Sequence, residues 1–144
     1  MNTIFSKSPS PKTSAALLFL LCLLLGCSLQ AQQQVSYRSF EQTLPTIDST
    51  IVFAHYDKVF VVHFQFCTGS KYCRENLVSL IGKQKGNRIL VICENAGAKI
   101  LQPLTNQSRF EFKEINTITL TQYGLFSVYN IMLNPKKKKL KKLQ

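Results

Sequence analysis

Apolar positions in this chain fall into runs of different kinds. From Ala15 to Leu25 they are continuous for 11 residues. From Val59 to Phe66 and from Arg88 to Cys93 the runs are short, rich in β-branched and aromatic residues, and apolar on both faces. Such continuity over so short a stretch belongs to a central strand covered on both sides. Between these runs, from Arg74 to Lys83, Leu77, Leu80 and Ile81 recur at helical spacing, and Gly82 and Gly86 supply a stop. Strand, helix and strand in that order predict two parallel neighbours joined by a right-handed crossover.

Smaller pieces flank this unit. Thr50 to His55 (TIVFAH) is a strand candidate, followed by a turn at Tyr56-Asp57-Lys58. Ala96 to Gln107 predicts a second, shorter helix interrupted by Pro103. Phe110 to Ile118 alternates like a strand but is polar enough for a loop, Leu120 to Gly124 predicts a helical turn, and Val128 to Leu133 a last strand ended by Asn134-Pro135. Upstream, Gln30 to Gln42 carries a glutamine cluster without apolar periodicity and reads as a linker. The stretch Ser39 to Asp48 supports a short helical turn that Pro45 keeps from growing. No internal repeat is present.

The first residues are an address. Lys7 and Lys12 precede the Ala15 to Leu25 run, and small or polar residues follow it, as in a secretory signal. The run is too short for a membrane span, which needs about 20 apolar residues. It ends in Leu24-Leu25-Gly26-Cys27, which resembles a bacterial lipobox and makes Cys27 the expected lipidation site; cleavage near Ala31 is the alternative. The chain therefore divides into residues 1–27 (signal peptide of lipoprotein type), 28–48 (linker), 49–135 (folded domain) and 136–144 (lysine-rich tail). An exported, periplasmic, membrane-anchored protein is expected.

This division changes the meaning of the charge. The chain has 18 Lys and Arg against seven Asp and Glu. Two of the cations lie in the signal and six in the terminal PKKKKLKKLQ, so Arg38 to Pro135 carries 10 cations against seven acids, a net +3. The domain is near neutral and the basic character sits at its end, as a solvated tail. For an exported protein, an anionic membrane or lipopolysaccharide surface suits Lys136 to Lys142, at about 1 kcal/mol per lysine; nucleic acid is not an expected partner.

The candidate chemistry is in the cysteines. Cys22 leaves with the signal and Cys27 is acylated, so Cys67, Cys73 and Cys93 remain; three is odd, and at least one stays free or pairs between molecules. A cysteine in the first turn of a helix faces unsatisfied backbone N–H groups that stabilise its thiolate. Adjacent parallel strands place Cys67 and Cys93 within reach of a disulfide, with Cys67 to Cys73 the rival pairing and Cys93 as a buried free thiol the plain alternative. His63 with the cysteines has zinc-binding atoms but no compact ligand spacing, so no metal or cofactor is expected. His63 instead reads as a hydrogen-bonded core residue beside Val59 and Val61. The acids Glu75, Glu94, Glu111 and Glu114 show no pairing suited to acid–base work, and no glycine-rich phosphate loop exists.

Cys73-Arg74-Glu75-Asn76-Leu77-Val78-Ser79-Leu80, the strand phrase Ile89-Leu90-Val91-Ile92 and the segment Tyr123-Gly124-Leu125 through Asn134-Pro135-Lys136 together resemble the exported, often membrane-tethered redoxins of the thioredoxin family. The resemblance covers about 85 residues with short motifs. It implies an α/β thioredoxin-like sandwich with a central mixed sheet, truncated at its C-terminal end. It also implies a degenerate active site. Cys73 takes the resolving position, Ser70 stands where the nucleophilic cysteine belongs, Gly69 replaces a tryptophan, and Tyr129 falls on the cis-proline. Ser70 retains the helix-capping role. The implied function is a thioredoxin-fold protein of the bacterial cell envelope with weak or no disulfide oxidoreductase activity. An active oxidoreductase using Cys67 and Cys73 on protein thiols, and a structural or binding lipoprotein, are the alternatives.

Overall fold

The computed structural model describes residues 35–67 and 70–143. The signal-like run, Cys27 and Gly69 lie outside the described residues. Strands β1 (Lys58–Val62) and β2 (Ile89–Cys93) form where the chain is apolar on both faces, and eight of their residues between Val59 and Cys93 are 0 or 1% exposed. They pair in parallel, with Val59 opposite Leu90 and Val62 opposite Cys93. Helix α2 (Lys71–Gly82) connects them; α1 (Tyr37–Ile47) precedes them. After β2 come the short helices α3 (Asn95–Ile100) and α4 (Gln102–Thr105), then β3 (Phe110–Glu114), α5 (Thr117–Gln122), β4 (Asn130–Asn134) and β5 (Lys139–Leu143). The sheet runs β3-β2-β1-β4-β5, with β3 parallel to β2 and the last two strands antiparallel. This is an α/β domain with a mixed five-stranded sheet flanked by helices.

Strand alternation sorts the core into two layers. Val59, Val61, Leu90, Ile92, Ile131 and Leu133 pack with Phe40 and Leu44 of α1. Phe60, Val62, Ile89, Val91 and Cys93 pack with Leu77 and Ile81 of α2 and with Leu101 and Leu104. The parallel pairing of the two apolar runs and the helix between them agree with the sequence pattern, as does the break at Leu101 between α3 and α4, where Pro103 starts a new first turn.

Four stretches differ from expectation, each for a local reason. Residues 37–47, expected as linker and short turn, form an 11-residue helix capped by Ser36, whose Oγ accepts from the Ser39 N–H. Phe40 and Leu44, four apart, place its apolar face in the core, which outweighs the backbone bond lost at Pro45 in the last turn. Thr50 to His55 is not a strand: Asp48 Oδ1 accepts from the Thr50 N–H and hydroxyl, and Phe53–His55 coils into a 3₁₀ turn. Strand β1 stops at Val62 instead of Phe66, because the Asn130 side chain takes the His63 N–H at 2.7 Å and Phe64–Cys67 turns as 3₁₀ helix.

The fourth stretch is the lysine-rich end. Pro135–Lys137 makes a turn, Lys138 takes a left-handed backbone at φ 48°, and Lys139–Leu143 pairs along β4. Leu140 packs on one core layer and Leu143 is buried in the other. A further strand therefore follows β4 where a truncated C-terminal end was expected, and the expected tail is the sheet edge.

Candidate functional site

The parallel strands β1 and β2 end side by side, and the residues after each carry the chemistry. Beyond β1, the 3₁₀ turn ends on Cys67, which is buried and bonded to Cys73 with a Cα–Cα distance of 5.5 Å. Cys73 is partly exposed in the first turn of α2, where its N–H donates to the Oγ of the cap residue Ser70 at 3.1 Å. The capping role expected of Ser70 is thus in place.

Cys93 is not the disulfide partner. The register sets Val62 opposite Cys93, so Cys67, five residues further on, has already turned away toward α2. Cys93 is a free, buried thiol. A Cβ placed on Gly97 would lie 2.9 Å from the Cys93 Cβ, so this glycine closes over it. Burial, with the nearby Glu114 and Glu94 charges, pushes the Cys93 thiol up to about 11, which keeps it protonated and unreactive.

One register step beyond Val62 and Cys93 stand His63 and Glu94. The His63 Nδ1 lies 3.2 Å from Glu94 Oε1, and the same oxygen accepts from the Thr117 hydroxyl. The imidazole is 1% exposed, wedged edge-on between Phe66 and Phe126 with ring centroids 5.7 and 5.5 Å away. Its Nε2 has no hydrogen-bond partner among the described residues. Burial holds His63 below its ordinary range despite the opposing pull of Glu94. The pair is therefore a neutral imidazole donating Nδ1–H to a carboxylate, with the lone pair on Nε2. His63 is the buried, hydrogen-bonded residue expected from the pattern, but Glu94 is not the isolated acid it looked. Its partner follows the last apolar residue of the neighbouring strand, and that position is the signal in the sequence.

Large apolar and aromatic side chains are exposed around this end. Phe66, Tyr72, Val128 and Tyr129 are exposed on the segments that flank the ends of β1 and β4. Tyr129, at the position expected of the family's cis-proline, donates its N–H to Ser127 Oγ and has the Lys142 ammonium 4.8 Å from its ring centre. Among the described residues no group of three or more His, Cys, Asp and Glu side chains is placed to hold a metal ion. No family model, curated protein or solved structure matches this chain.

The buried His63 carries a pH signature. The unfolded chain protonates it near 6.5, whereas the fold resists the proton, so stability is full above that value and falls as the pH drops from 6.5 toward the lower folded value. Melting temperatures at pH 7.5 and pH 5 are expected to differ more for the parent than for His63→Gln. Equal differences would show that the fold does not disfavour the His63 imidazolium.

Proposed function

We propose that this chain is an exported thioredoxin-fold protein of the bacterial cell envelope, tethered through Cys27, whose Cys67–Cys73 disulfide exchanges slowly with protein thiols. What supports the fold reading is the central strand leading through cysteines into a helix, and the antiparallel pair that closes the sheet. The observation that carries the chemistry is the unequal setting of the two sulfurs. Cys73 is partly exposed in a helical first turn, while Cys67 is 2% exposed.

That inequality assigns roles in the reverse of the family's order. A substrate thiolate attacks Cys73 Sγ, the Cys67–Cys73 bond breaks, and Cys67 leaves with the electron pair and takes up a proton. A second substrate thiol, deprotonated, then attacks its partner sulfur in the mixed disulfide, and Cys73 departs as a thiolate favoured by the helix N-terminus. The substrate dithiol ends as a disulfide and the chain as a dithiol. Exchange is slow because the leaving Cys67 starts as a buried sulfur, where a thiolate is poorly solvated. The exposed Phe66, Tyr72, Val128 and Tyr129 offer an apolar surface for an extended protein substrate.

Reduction of a small disulfide by the full chain in the presence of dithiothreitol tests this reading. The parent is expected to turn over slowly, Cys73→Ser not at all, and Ser70→Cys faster, since it restores a two-residue spacing in the helical first turn. Brisk parental turnover would overturn the slow-exchange assignment. The burial of Cys67 favours a second reading, a purely structural bridge; a disulfide that resists a glutathione buffer at envelope-like potential, with no parental turnover, would establish it.

A further inference from the structure

The opposite end of the sheet gathers charge. The N-terminal end of β1, the loop after α2 and the turn between β4 and β5 line an open cleft of about 340 Å³. Lys58, Lys85, Lys136 and Lys137 line it, and Asp57 is its one acid among the described residues. Asp57 is already committed: its carboxylate accepts from the Asn87 N–H at 2.7 Å, from the Arg88 N–H at 3.4 Å, and pairs with the Lys136 ammonium. Lys58 donates to the neutral Gln84 amide, so its charge is uncancelled. Among the described residues, Lys58, Lys85 and Lys137 thus have no carboxylate within ion-pair distance, and the exposed Lys138 and Lys139 continue the cluster into β5.

Protection of a free sheet edge accounts for lysines on β5. It does not account for Lys58, Lys85 or Lys137, which come from three other segments and meet at the sheet's end. Among the described residues no aromatic side chain lines the cleft on which a base could stack, which disfavours single-stranded nucleic acid.

We propose that this lysine cleft docks the domain onto anionic phospholipid headgroups, so that the disulfide, at the far end of β1, points away from the membrane. Strand β1 starts with Lys58 and leads through His63 to Cys67, and its five residues separate the two ends by about 16 Å. Docking does not depend on the redox reading.

The test uses the full chain with Cys27→Ser, so that no acyl group contributes, and vesicles of phosphatidylcholine with or without phosphatidylglycerol. The apolar N-terminal run contributes to both, and the quantity read is the ratio of the two partition coefficients. A strong preference for the anionic vesicles, collapsing at high salt, is expected. Lys85→Gln with Lys137→Gln should lower that preference on the order of tenfold. Lys71→Gln with Lys99→Gln, removing the same charge elsewhere, should lower it by no more than about twofold. No preference, equal losses in the two pairs, or tighter binding of oligothymidylate than of anionic vesicles would overturn the docking. Orientation is read by the rate at which a water-soluble phosphine reduces the disulfide. An unchanged rate on anionic vesicles is expected, and strong protection would overturn the outward placement.

Discussion

Phe40→Ala is expected to destabilise the domain by about 3–5 kcal/mol, a large part of the stability of a domain this size. Phe40 has no exposed surface and packs among Val59, Val61, Leu90 and Ile92 on one face of the sheet. Truncating it removes the ring's burial and leaves a cavity between α1 and the sheet. Substitution in a solvated linker changes stability by at most about 0.5 kcal/mol, so the two readings of residues 37–47 diverge widely. Urea unfolding of Phe40→Ala beside the exposed control Gln42→Ala measures the difference. A loss below about 1 kcal/mol for Phe40→Ala would return this segment to a linker.

Cys67→Ser is expected to convert transient exchange into near-stoichiometric capture. With the buried cysteine gone, a mixed disulfide formed at Cys73 has no thiol among the described residues to resolve it, since Cys93 is buried, protonated and placed opposite Val62. Incubation with an activated small disulfide should label Cys67→Ser at Cys73, and the label should persist until external thiol is added. Cys73→Ser should label little, because its remaining site thiol, Cys67, is buried. Mass spectrometry reads both. The reverse pattern, durable labelling of Cys67 in Cys73→Ser, would exchange the roles assigned to the two sulfurs.

The centre of the fold was legible because burial on both faces writes itself as continuous apolarity, from Val59 to Val62 and from Ile89 to Cys93. Helix α2 was legible because Leu77, Leu80 and Ile81 share a face. The periphery hid for opposite reasons. In α1 only Tyr37, Phe40 and Leu44 are buried, in a polar stretch that also holds Pro45. In β5 five residues carry three lysines, and Leu140 and Leu143 alone turn inward, so cross-strand pairing with β4 makes the strand. Ile51 and Phe53 looked like strand alternation because both are buried, yet they reach the core from a turn.

The site was half legible. Three thiols near a strand-to-helix junction were visible, but the pairing hinged on where β1 stops. Two strands whose ends were level at Phe66 and Cys93 would set Cys67 beside Cys93; the register instead sets Val62 there, and the chain beyond it turns toward α2. The same register also makes neighbours of His63 and Glu94, a relation that neither residue's own surroundings in the sequence reveal.

Among the described residues, strand β5 pairs on one side only and forms a rim of the sheet, where another chain would ordinarily find a template for adding its own strand. Lys139, Lys141 and Lys142 occupy that rim. A second copy aligning the same strand would set ammonium against ammonium at cross-strand distances of roughly 5 Å. Crowded copies therefore repel at this rim instead of fusing their sheets, and the lysines act as gatekeepers against edge-to-edge aggregation.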